Sequence, residues 1–209
     1  MYIYIFRHGQ TIWNASKLLQ GRSDIELNEN GIRLAEETGR NLADVHFDRI
    51  YSSPLKRAYN TACLIRGGRD IEIIKDDRLK ELCFGEYEGR NFVELLADET
   101  DPFHYFYDHP ELYKAPANGE TLEEITKRAE EFLVSEIEPL KDKCERIMIV
   151  AHGALNKALL RHIRQNELKD YWQGGLQRNC SAAIVSLDDS GYGVIDDSKL
   201  FYELKKQEG

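Results

Sequence analysis

The chain has few cysteines, no long apolar run and no excess of basic residues. Its four cysteines are irregularly spaced without a C-x-x-C pair, which argues against a disulfide or zinc framework and favours reduced thiols. No apolar stretch approaches the ~20 residues that span a bilayer. The short apolar start runs into Arg7 without the pattern of a signal peptide. We therefore expect a cytoplasmic protein.

Acidic residues outnumber basic ones by 37 to 28, and the formal net charge is −9. A surface of that sign repels phosphate backbones and anionic lipids, so neither nucleic acid nor a membrane is expected as a partner. If the ligand is itself an anion, a local cationic pocket has to overcome this background. Clustered arginines and histidines are therefore the residues of most interest.

The pattern of apolar segments predicts an α/β protein. We expect strands near residues 1–6, 49–52, 71–74 and 147–151, and a final hairpin that pairs residues 182–187 with 194–200. Helices alternate with the first four strands, and near-continuous apolar strands are typical of a parallel sheet that is covered on both faces. The prediction is a three-layer α/β/α sandwich whose mainly parallel sheet carries an antiparallel edge strand.

Helix starts are predicted from capping residues. Asn28 is expected to cap a helix with Ile32, Ala35, Leu42 and Ala43 on its apolar side. For the next helix, Ser53 is the expected cap and Pro54 the first helical residue, and the helix stops at Gly67-Gly68. A capping box at residues 121–124 begins a long amphipathic helix, and a last helix covers about 154–163. Residues 12–25 are expected to be a polar loop.

Residues 86–119 interrupt the alternation with many aromatics and three prolines. We predict short helices and loops that form a lid-like insertion over one edge of the sheet. The aromatic side chains either pack within this insertion or line a pocket for the ligand, where apolar walls select the substrate. Without a linker or an internal repeat, the whole chain, residues 1–209, is expected to be one domain.

Three predicted strands end in polar residues. The first runs into Arg7-His8-Gly9, the second into Ser53, and the fourth into His152-Gly153. If these strands are parallel, their ends lie along the one sheet edge where ligands bind. Arg57 falls in the first turn of a helix, whose N-terminus already favours anions. Two arginines, two imidazoles and two helix N-termini suit a phosphoryl group.

A bound metal is the competing interpretation, because paired histidines are common metal ligands. Two neighbouring guanidinium groups argue against it, since arginine stays protonated in proteins and repels a divalent cation. We therefore favour an oxyanion site with no metal and no cofactor.

Four ordered motifs, at residues 7–14 (RHGQTIWN), 51–58 (YSSPLKRA), 79–89 (LKELCFGEYEG) and 150–153 (VAHG), resemble the histidine phosphatase superfamily. The branch is the one with cofactor-dependent phosphoglycerate mutase, fructose-2,6-bisphosphatase and small broad-specificity phosphatases. The resemblance extends from residue 3 to about 187. It implies a phosphoglycerate mutase-like fold and a small phosphorylated metabolite as substrate.

The resemblance also implies residue roles. His8 falls on the nucleophile that becomes phosphohistidine, and Glu81 on the proton donor. The other matched positions hold the phosphate: Arg7, Arg57, His152 and Gly153, with Asn14, Gln20 and Gly21 from the loop. Chemically, a neutral imidazole attacks phosphorus, and nearby arginines help to keep it neutral. Glu81 then protonates the departing alkoxide.

The sequence leaves alternatives open for the acid residue and for the type of reaction. Glu86 and Glu88 compete with Glu81 for the acid role, and the other histidines, His46, His104, His109 and His162, are expected to be structural or exposed. The mutases of the family carry a basic insertion with paired arginines, which residues 90–121 lack, so a phosphatase is favoured over a mutase. A binding module without turnover is less expected, because all five residues of the family's catalytic set are present: Arg7, His8, Arg57, Glu81 and His152.

The oligomeric state cannot be read from the sequence, which leaves a homodimer open.

Overall fold

A computed structural model describes residues 1–204 of the chain. Within them, six strands form one sheet in the order β3-β2-β4-β1-β5-β6. The strands are β1 (Tyr2–Arg7), β2 (Arg49–Ser52), β3 (Ile73–Lys75), β4 (Arg146–Ala151), β5 (Ala182–Asp188) and β6 (Gly191–Lys199). The third strand therefore begins two residues later than the sequence predicts.

The pairing confirms a mainly parallel sheet. β1 and β2 both pair in parallel with β4, and β3 pairs in parallel with β2. β5 is antiparallel to β1, and β6 is antiparallel to β5, which is the predicted hairpin at one edge. The register sets Phe6 and Ser52 on either side of Val150. The carboxyl ends of β1, β2 and β4 are thus side by side.

The helices cover both faces of this sheet. They are α1 (Ile12–Ala15), α2 (Glu29–Asn41), α3 (Lys56–Arg66), α4 (Phe92–Ala97), α5 (Leu122–Phe132) and α6 (Gly153–Arg164). Ile3 and Ile5 of β1 belong to the core on the α5 and α6 side, whereas Phe6 belongs to the core beneath α2 and α3. This alternation, which follows from the period of two in a strand, confirms the three-layer α/β/α sandwich.

The predicted caps of α2 and α5 are confirmed. The Asn28 side chain accepts a hydrogen bond from Gly31 N (2.8 Å), and Thr121 forms the capping box with Glu124. The apolar face of α2 was predicted incorrectly in part. Ile32 is 40% exposed, while Leu34, two residues later and on the opposite side of the helix, is buried. Ala43 lies beyond the end of α2 and is exposed, although Leu42 is buried as predicted.

The predicted start of α3 is wrong. The helix begins at Lys56, and its N-cap, Leu55, offers no side-chain hydrogen bond. The physical reason is that Ser53 N still donates to Val150 O (3.0 Å), which continues the strand pairing by one residue. The hydroxyl of Ser53 lies 2.8 Å from His152 Nε2. The predicted stop at Gly67 is confirmed.

A short helix was not predicted in the loop after β1. α1 is capped by Thr11, whose hydroxyl accepts from Asn14 N (3.1 Å) while Asn14 Oδ1 accepts from Thr11 N (3.1 Å). Asparagine completes this capping box at the position where glutamate or glutamine is usual, so the sequence signal is weak.

Residues 86–119 begin with the end of a short helical turn, Gly85–Tyr87, and continue with α4 and two further short turns, Pro102–Tyr105 and Pro110–Leu112, joined by loops. Phe103 and Phe106 stack at 4.8 Å between ring centroids, and Tyr113 packs edge-on against both. The segment therefore has its own aromatic core, as one of the two alternatives predicted. Its role as a lid, and the single-domain organisation of the whole chain, stay predictions.

The cysteines are free thiols, as the sequence predicts. Cys180 is buried beneath the sheet edge, and burial raises the pKa of its thiol to about 12, so it is unreactive near neutral pH. Cys83 Sγ lies 3.2 Å from Asn118 O. Through residue 204, no helix combines the length and apolar character needed to cross a membrane.

Candidate active site

A cavity of about 260 Å³ opens at the carboxyl edge of the sheet. The structure brings the predicted site residues together there. Eight of them line the cavity: Arg7, His8, Asn14, Gln20, Gly21, Arg57, Glu81 and Gly153. The ninth, His152, lies behind the wall and is fully buried, with its ring centroid 5.1 Å from that of His8.

His8 is held at the end of β1 with only 3% of its surface exposed. Its Nδ1 lies 2.7 Å from Gly9 O. A carbonyl can only accept, so Nδ1 carries the proton and Nε2 keeps a lone pair. Nε2 makes no hydrogen bond to any residue in 1–204 and is left for the cavity that His8 lines. The Asn179 amide secures the main chain by donating to His8 O (2.9 Å).

Gly9 allows a close approach, but to protein and not to a ligand. A Cβ at this position would lie 2.8 Å from Gly31 O in α2, closer than packed atoms come. The Gly9 amide donates to Thr61 Oγ1 in α3 (2.9 Å). The turn after β1 therefore packs closely against both α2 and α3, and this packing fixes the position of His8.

Arg7 and Arg57 supply the positive charge. Arg57 Nη2 donates to Gly21 O (2.6 Å) and Nη1 to Ser23 O (2.8 Å). Arg7 Nη1 donates to Gln177 O (2.6 Å). The Nε atoms of both arginines are buried, and no residue in the described part of the chain accepts their hydrogens. Burial lowers the pKa of Arg7, and that of Arg57 to about 10, so both remain cations at neutral pH.

His152 is oriented from the opposite side of its ring. Its Nε2 lies 2.8 Å from Ser53 Oγ, which accepts a hydrogen bond from Leu55 N (3.3 Å) and also carries a proton that it can donate to Nε2. His152 Nδ1 is buried and has no partner among residues 1–204. When Ser53 donates to Nε2, the hydrogen of the neutral ring is on Nδ1, where it is available to an anion.

Both imidazoles are held in the neutral form. Burial, followed by the positive charges of Arg57 and Arg7, lowers the pKa of His8 well below its usual value. Burial and Arg57 do the same for the pKa of His152. The predicted effect of arginine on His8 is thus confirmed in direction, although desolvation is the larger cause.

Glu81 is buried to 8% exposure beside the first turn of α6. Its carboxylate accepts hydrogen bonds from the main-chain amides of Leu82 (2.9 Å), Ala154 (3.2 Å) and Leu155 (3.1 Å). The Ala154 and Leu155 amides at the N-terminus of α6 therefore bind this carboxylate, so these two amides are not free for the phosphoryl group that the sequence led us to expect there. A negative side chain at that position is stabilised by the helix dipole.

Glu81 and Arg7 converge at Gly153. A Cβ on Gly153 would lie 3.7 Å from both Glu81 Oε2 and Arg7 Nε, and 2.7 Å from Leu176 Cδ1. Because Gly153 has no side chain, the Glu81 carboxyl and the Arg7 guanidinium both remain open to the same part of the cavity. Neither rival carboxylate shares this position. Glu86 is exposed, and Glu88 accepts hydrogen bonds from the amides of residues 22, 23 and 84.

The loop after β1 contributes two amides. Thr11 Oγ1 donates to Gln20 Oε1 (2.9 Å), and Asn14 Oδ1 accepts from Thr11 N. Each amide thus has its oxygen engaged within the loop. Neither side-chain NH2 of Asn14 or Gln20 is bonded to another residue in 1–204, so both are donors available to the cavity.

One wall of the cavity is apolar. Its residues are Leu18, Leu19, Phe84, Phe92, Phe106, Tyr107, Trp172 and Leu176. Trp172 joins the two chain segments that build it, because its Nε1 donates to Phe106 O (2.6 Å) and its ring lies 4.8 Å from that of Tyr107. The sequence indicated the aromatics of 86–119 as pocket candidates. Trp172 and Leu176 were missed, because no local pattern distinguishes them.

An imidazole with a free nitrogen that shares a cavity with two arginines, at the edge of a mainly parallel sheet, is typical of phosphoryl-transfer sites. The chain belongs to the histidine phosphatase superfamily (branch 1), whose sequence model matches residues 3–196. It is 37% identical over 161 residues to the uncharacterized phosphatase PhoE of Bacillus subtilis, which covers 77% of this chain and 76% of PhoE.

Two further relatives show the range of the family. The 2,3-bisphosphoglycerate-dependent phosphoglycerate mutase of Cytophaga hutchinsonii is 33% identical over 170 residues, or 80% of this chain and 79% of the mutase. The solved structure of Bacillus stearothermophilus YhfR superposes with a TM-score of 0.88 and 32% identity, covering 97% of this chain and 99% of YhfR. The predicted phosphoglycerate mutase-like fold is confirmed.

Proposed function

We propose that this protein is a metal-independent phosphomonoester hydrolase that acts through a phosphohistidine on His8. The observation that carries the proposal is the bond from His8 Nδ1 to Gly9 O, which leaves Nε2 unprotonated within the cavity. A neutral imidazole nitrogen is a nucleophile, and the low pKa of His8 keeps it so.

The first half-reaction transfers phosphorus to His8. The Nε groups of Arg7 and Arg57 and the Nδ1 of His152, which lack partners in residues 1–204, bind the phosphoryl oxygens. Nε2 of His8 attacks phosphorus while the P–O bond to the alcohol breaks. Glu81, which takes up a proton as the negatively charged phosphoryl group binds beside it, gives that proton to the departing oxygen. Fixed positive groups stabilise the charge of the transition state without reorganisation.

The second half-reaction releases phosphate. Glu81, now a carboxylate, takes a proton from water while the water oxygen attacks phosphorus and the N–P bond breaks. The products are the alcohol and inorganic phosphate, and the enzyme returns to its starting state. The amides of Asn14 and Gln20 supply additional donors to the phosphoryl group in both steps.

Hydrolysis is favoured over mutase-type transfer by the charge of the cavity. Among the arginines and lysines of residues 1–204, only Arg7 and Arg57 line it. A mutase has to hold a second anionic group while the phosphoryl group returns, and the apolar wall offers no cation for it. We therefore propose a small phosphorylated metabolite as substrate, with its organic part against that wall. The cavity volume and the acidic surface argue against a nucleic acid or a membrane as the partner.

The donor set also supports chemistry without a metal. Residues 1–204 contain no cluster of three or more histidine, cysteine or acidic side chains arranged to hold a metal ion. The two cavity arginines would repel a divalent cation. We propose that their charge does the work that a metal does in other phosphatases.

The test is hydrolysis of p-nitrophenyl phosphate and phenyl phosphate in excess EDTA. We expect turnover to survive chelation, with one phosphate released per phenol. Glu81→Gln should lower kcat/KM for phenyl phosphate by about 100-fold, within the range for removal of a general acid. Glu86→Gln, an exposed carboxylate five residues away, is the matched control and should be unchanged. A wild-type protein that binds phosphate but releases no phenol would support the binding-module alternative.

A further inference from the structure

Glu81 has to be fixed within a fraction of an ångström to act as acid and base, yet it lies in irregular chain. The short helical turn before it, Asp77–Leu79, ends two residues earlier, and the next turn, Gly85–Tyr87, begins four residues later. Its carboxylate is bound by amides at the start of α6. The position of its main chain therefore depends on other contacts.

Arg128 of α5 provides those contacts. Its Nη1 donates to Arg78 O (2.5 Å) and Lys80 O (2.6 Å). Its Nη2 donates to Glu81 O (3.1 Å). One planar guanidinium thus gathers three carbonyls of residues 78–81, including that of Glu81 itself. The rigid fork of arginine suits this task better than the flexible ammonium of lysine.

Glu120 holds the guanidinium in place. Its Oε1 accepts from Arg128 Nε (2.6 Å), and its Oε2 accepts from Arg128 Nη2 (2.8 Å) and from Cys83 N (3.2 Å). Glu120 N donates back to Cys83 O (2.8 Å). The pair is largely buried, with side-chain exposures of 13% for Arg128 and 10% for Glu120. Each nitrogen of the guanidinium has an acceptor, so this ion pair is fully hydrogen-bonded.

We infer that the Arg128–Glu120 pair is a positioning unit for Glu81, an inference that rests on the proposed role of Glu81 as general acid and base. Arg128 fixes the main chain on one side, and the α6 amides fix the carboxylate on the other. Neither residue of the pair lines the cavity. Their effect on the reaction is therefore exerted through Glu81.

If the Arg128–Glu120 pair had only a structural role, a different result would be expected. If the pair only attached the loop to α5, its loss would lower stability and reduce turnover of every substrate alike. A displaced acid instead impairs substrates whose leaving group needs a proton. Phenyl phosphate and p-nitrophenyl phosphate have the same ring, but phenoxide is the more basic leaving group. The ratio of their kcat/KM values therefore reports the proton transfer.

The experiment measures this ratio for the full-length protein and for Arg128→Met, Arg128→Lys and Glu120→Gln. Glu81→Gln provides the reference for complete loss of the acid. The matched control is Arg78→Met, because Arg78 connects the same loop to the segment after α5 through Ser135 Oγ (2.7 Å) and Glu136 (3.0 Å), without a side-chain contact to Glu81. Melting temperatures are recorded for each variant, and assays are run well below them.

We expect Arg128→Met to lower kcat/KM for phenyl phosphate by about 10- to 100-fold, as displacement of a catalytic group by about an ångström does. The value for p-nitrophenyl phosphate should fall less than about threefold because its leaving group needs little protonation. Arg128→Lys and Glu120→Gln should show smaller changes with the same asymmetry. Arg78→Met should lower the melting temperature and leave the ratio unchanged.

Equal losses for both substrates in all three variants, with Glu81→Gln still asymmetric, would overturn the inference and leave the proposed function intact. If Glu81→Gln lowered kcat/KM equally for phenyl phosphate and p-nitrophenyl phosphate, the acid role of Glu81 itself would be contradicted. If Arg128→Met does not fold, the lysine and glutamine variants decide the question by the same ratio.

Discussion

His8 and His152 are the same residue type, follow neighbouring parallel strands, precede a glycine and are both buried, yet the structure prepares them for opposite tasks. His8 is tied through Nδ1 to Gly9 O, so Nε2 is free and unprotonated. His152 is tied through Nε2 to Ser53 Oγ, so the free nitrogen is Nδ1. If Ser53 donates to His152, one ring offers a lone pair to the cavity and the other offers a hydrogen. We propose that the hydrogen bond at the other ring nitrogen sets the role of each imidazole, because burial and Arg57 act on both rings in the same direction.

The largest effect is expected for removal of the lone pair. His8→Asn should reduce kcat for p-nitrophenyl phosphate by about 10⁴-fold or more, because loss of a nucleophile removes the covalent route. His46→Asn, at an exposed imidazole, is the matched control and should retain wild-type turnover. A His8→Asn enzyme with more than a tenth of wild-type activity would show that the two imidazoles are not distinguished in the way described.

Removal of the hydrogen donor should cost less. His152→Ala is expected to lower kcat about 100-fold, the usual cost of one preorganised donor to a transition state. His152→Asn should recover part of that loss, because an asparagine amide can place an N–H near the position of Nδ1. Steady-state kinetics on p-nitrophenyl phosphate check both variants. If alanine and asparagine were equally poor, the donor role of Nδ1 would be contradicted.

A smaller effect is expected at the residue that orients His152. Ser53→Ala removes the hydroxyl bonded to Nε2 and frees the ring to adopt the other tautomer. We expect kcat/KM to fall by about 3- to 10-fold, in line with the net value of one hydrogen bond. Ser52→Ala is the control, since the adjacent hydroxyl is bonded to main-chain oxygens only. A loss as large as that of His152→Ala would indicate a role beyond orientation.

The smallest effect concerns pH and stability. The folded pKa values of both imidazoles lie below the unfolded value near 6.5. Below about pH 6.5 the unfolded chain binds more protons than the folded one, so the free energy of unfolding falls as pH is lowered toward the folded pKa values. His152→Asn should show a smaller decrease in melting temperature between pH 7.5 and 5.5 than wild type. An equal or larger decrease would contradict a neutral, buried imidazole.

Much of the half of the site that we propose to bind phosphate could be predicted from sequence. Arg7, His8 and His152 follow strands whose apolar pattern is strong, and parallel strands bring their ends together whatever the side-chain details. Arg57 followed from its place in the first turn of a helix. These inferences needed only strand order and direction, which hydrophobic patterning determines.

The remainder depended on contacts between distant residues. Ser53 was interpreted as a helix cap because a serine before Pro54 usually is one, whereas its hydroxyl serves a histidine 99 residues later. Glu81 was found through the family motif. Its place at the start of α6 depends on a contact with Ala154, which lies 73 residues later in the sequence. No local sequence pattern indicates the Arg128–Glu120 pair or the contribution of Trp172 to the apolar wall of the cavity. Patterns of period 2 and 3.6 predict elements, not which side chains meet across the fold.

The most direct test of the proposed phosphohistidine on His8 is to locate the phosphoryl group on the enzyme. Full-length protein is mixed with ³²P-labelled substrate, quenched in alkali during turnover, and digested for peptide mapping, with ³¹P NMR to identify the phosphorylated nitrogen. We predict one acid-labile, alkali-stable label, on Nε2 of His8, formed in EDTA and absent from His152. A label on another residue, or on Nδ1 of His8, would contradict it.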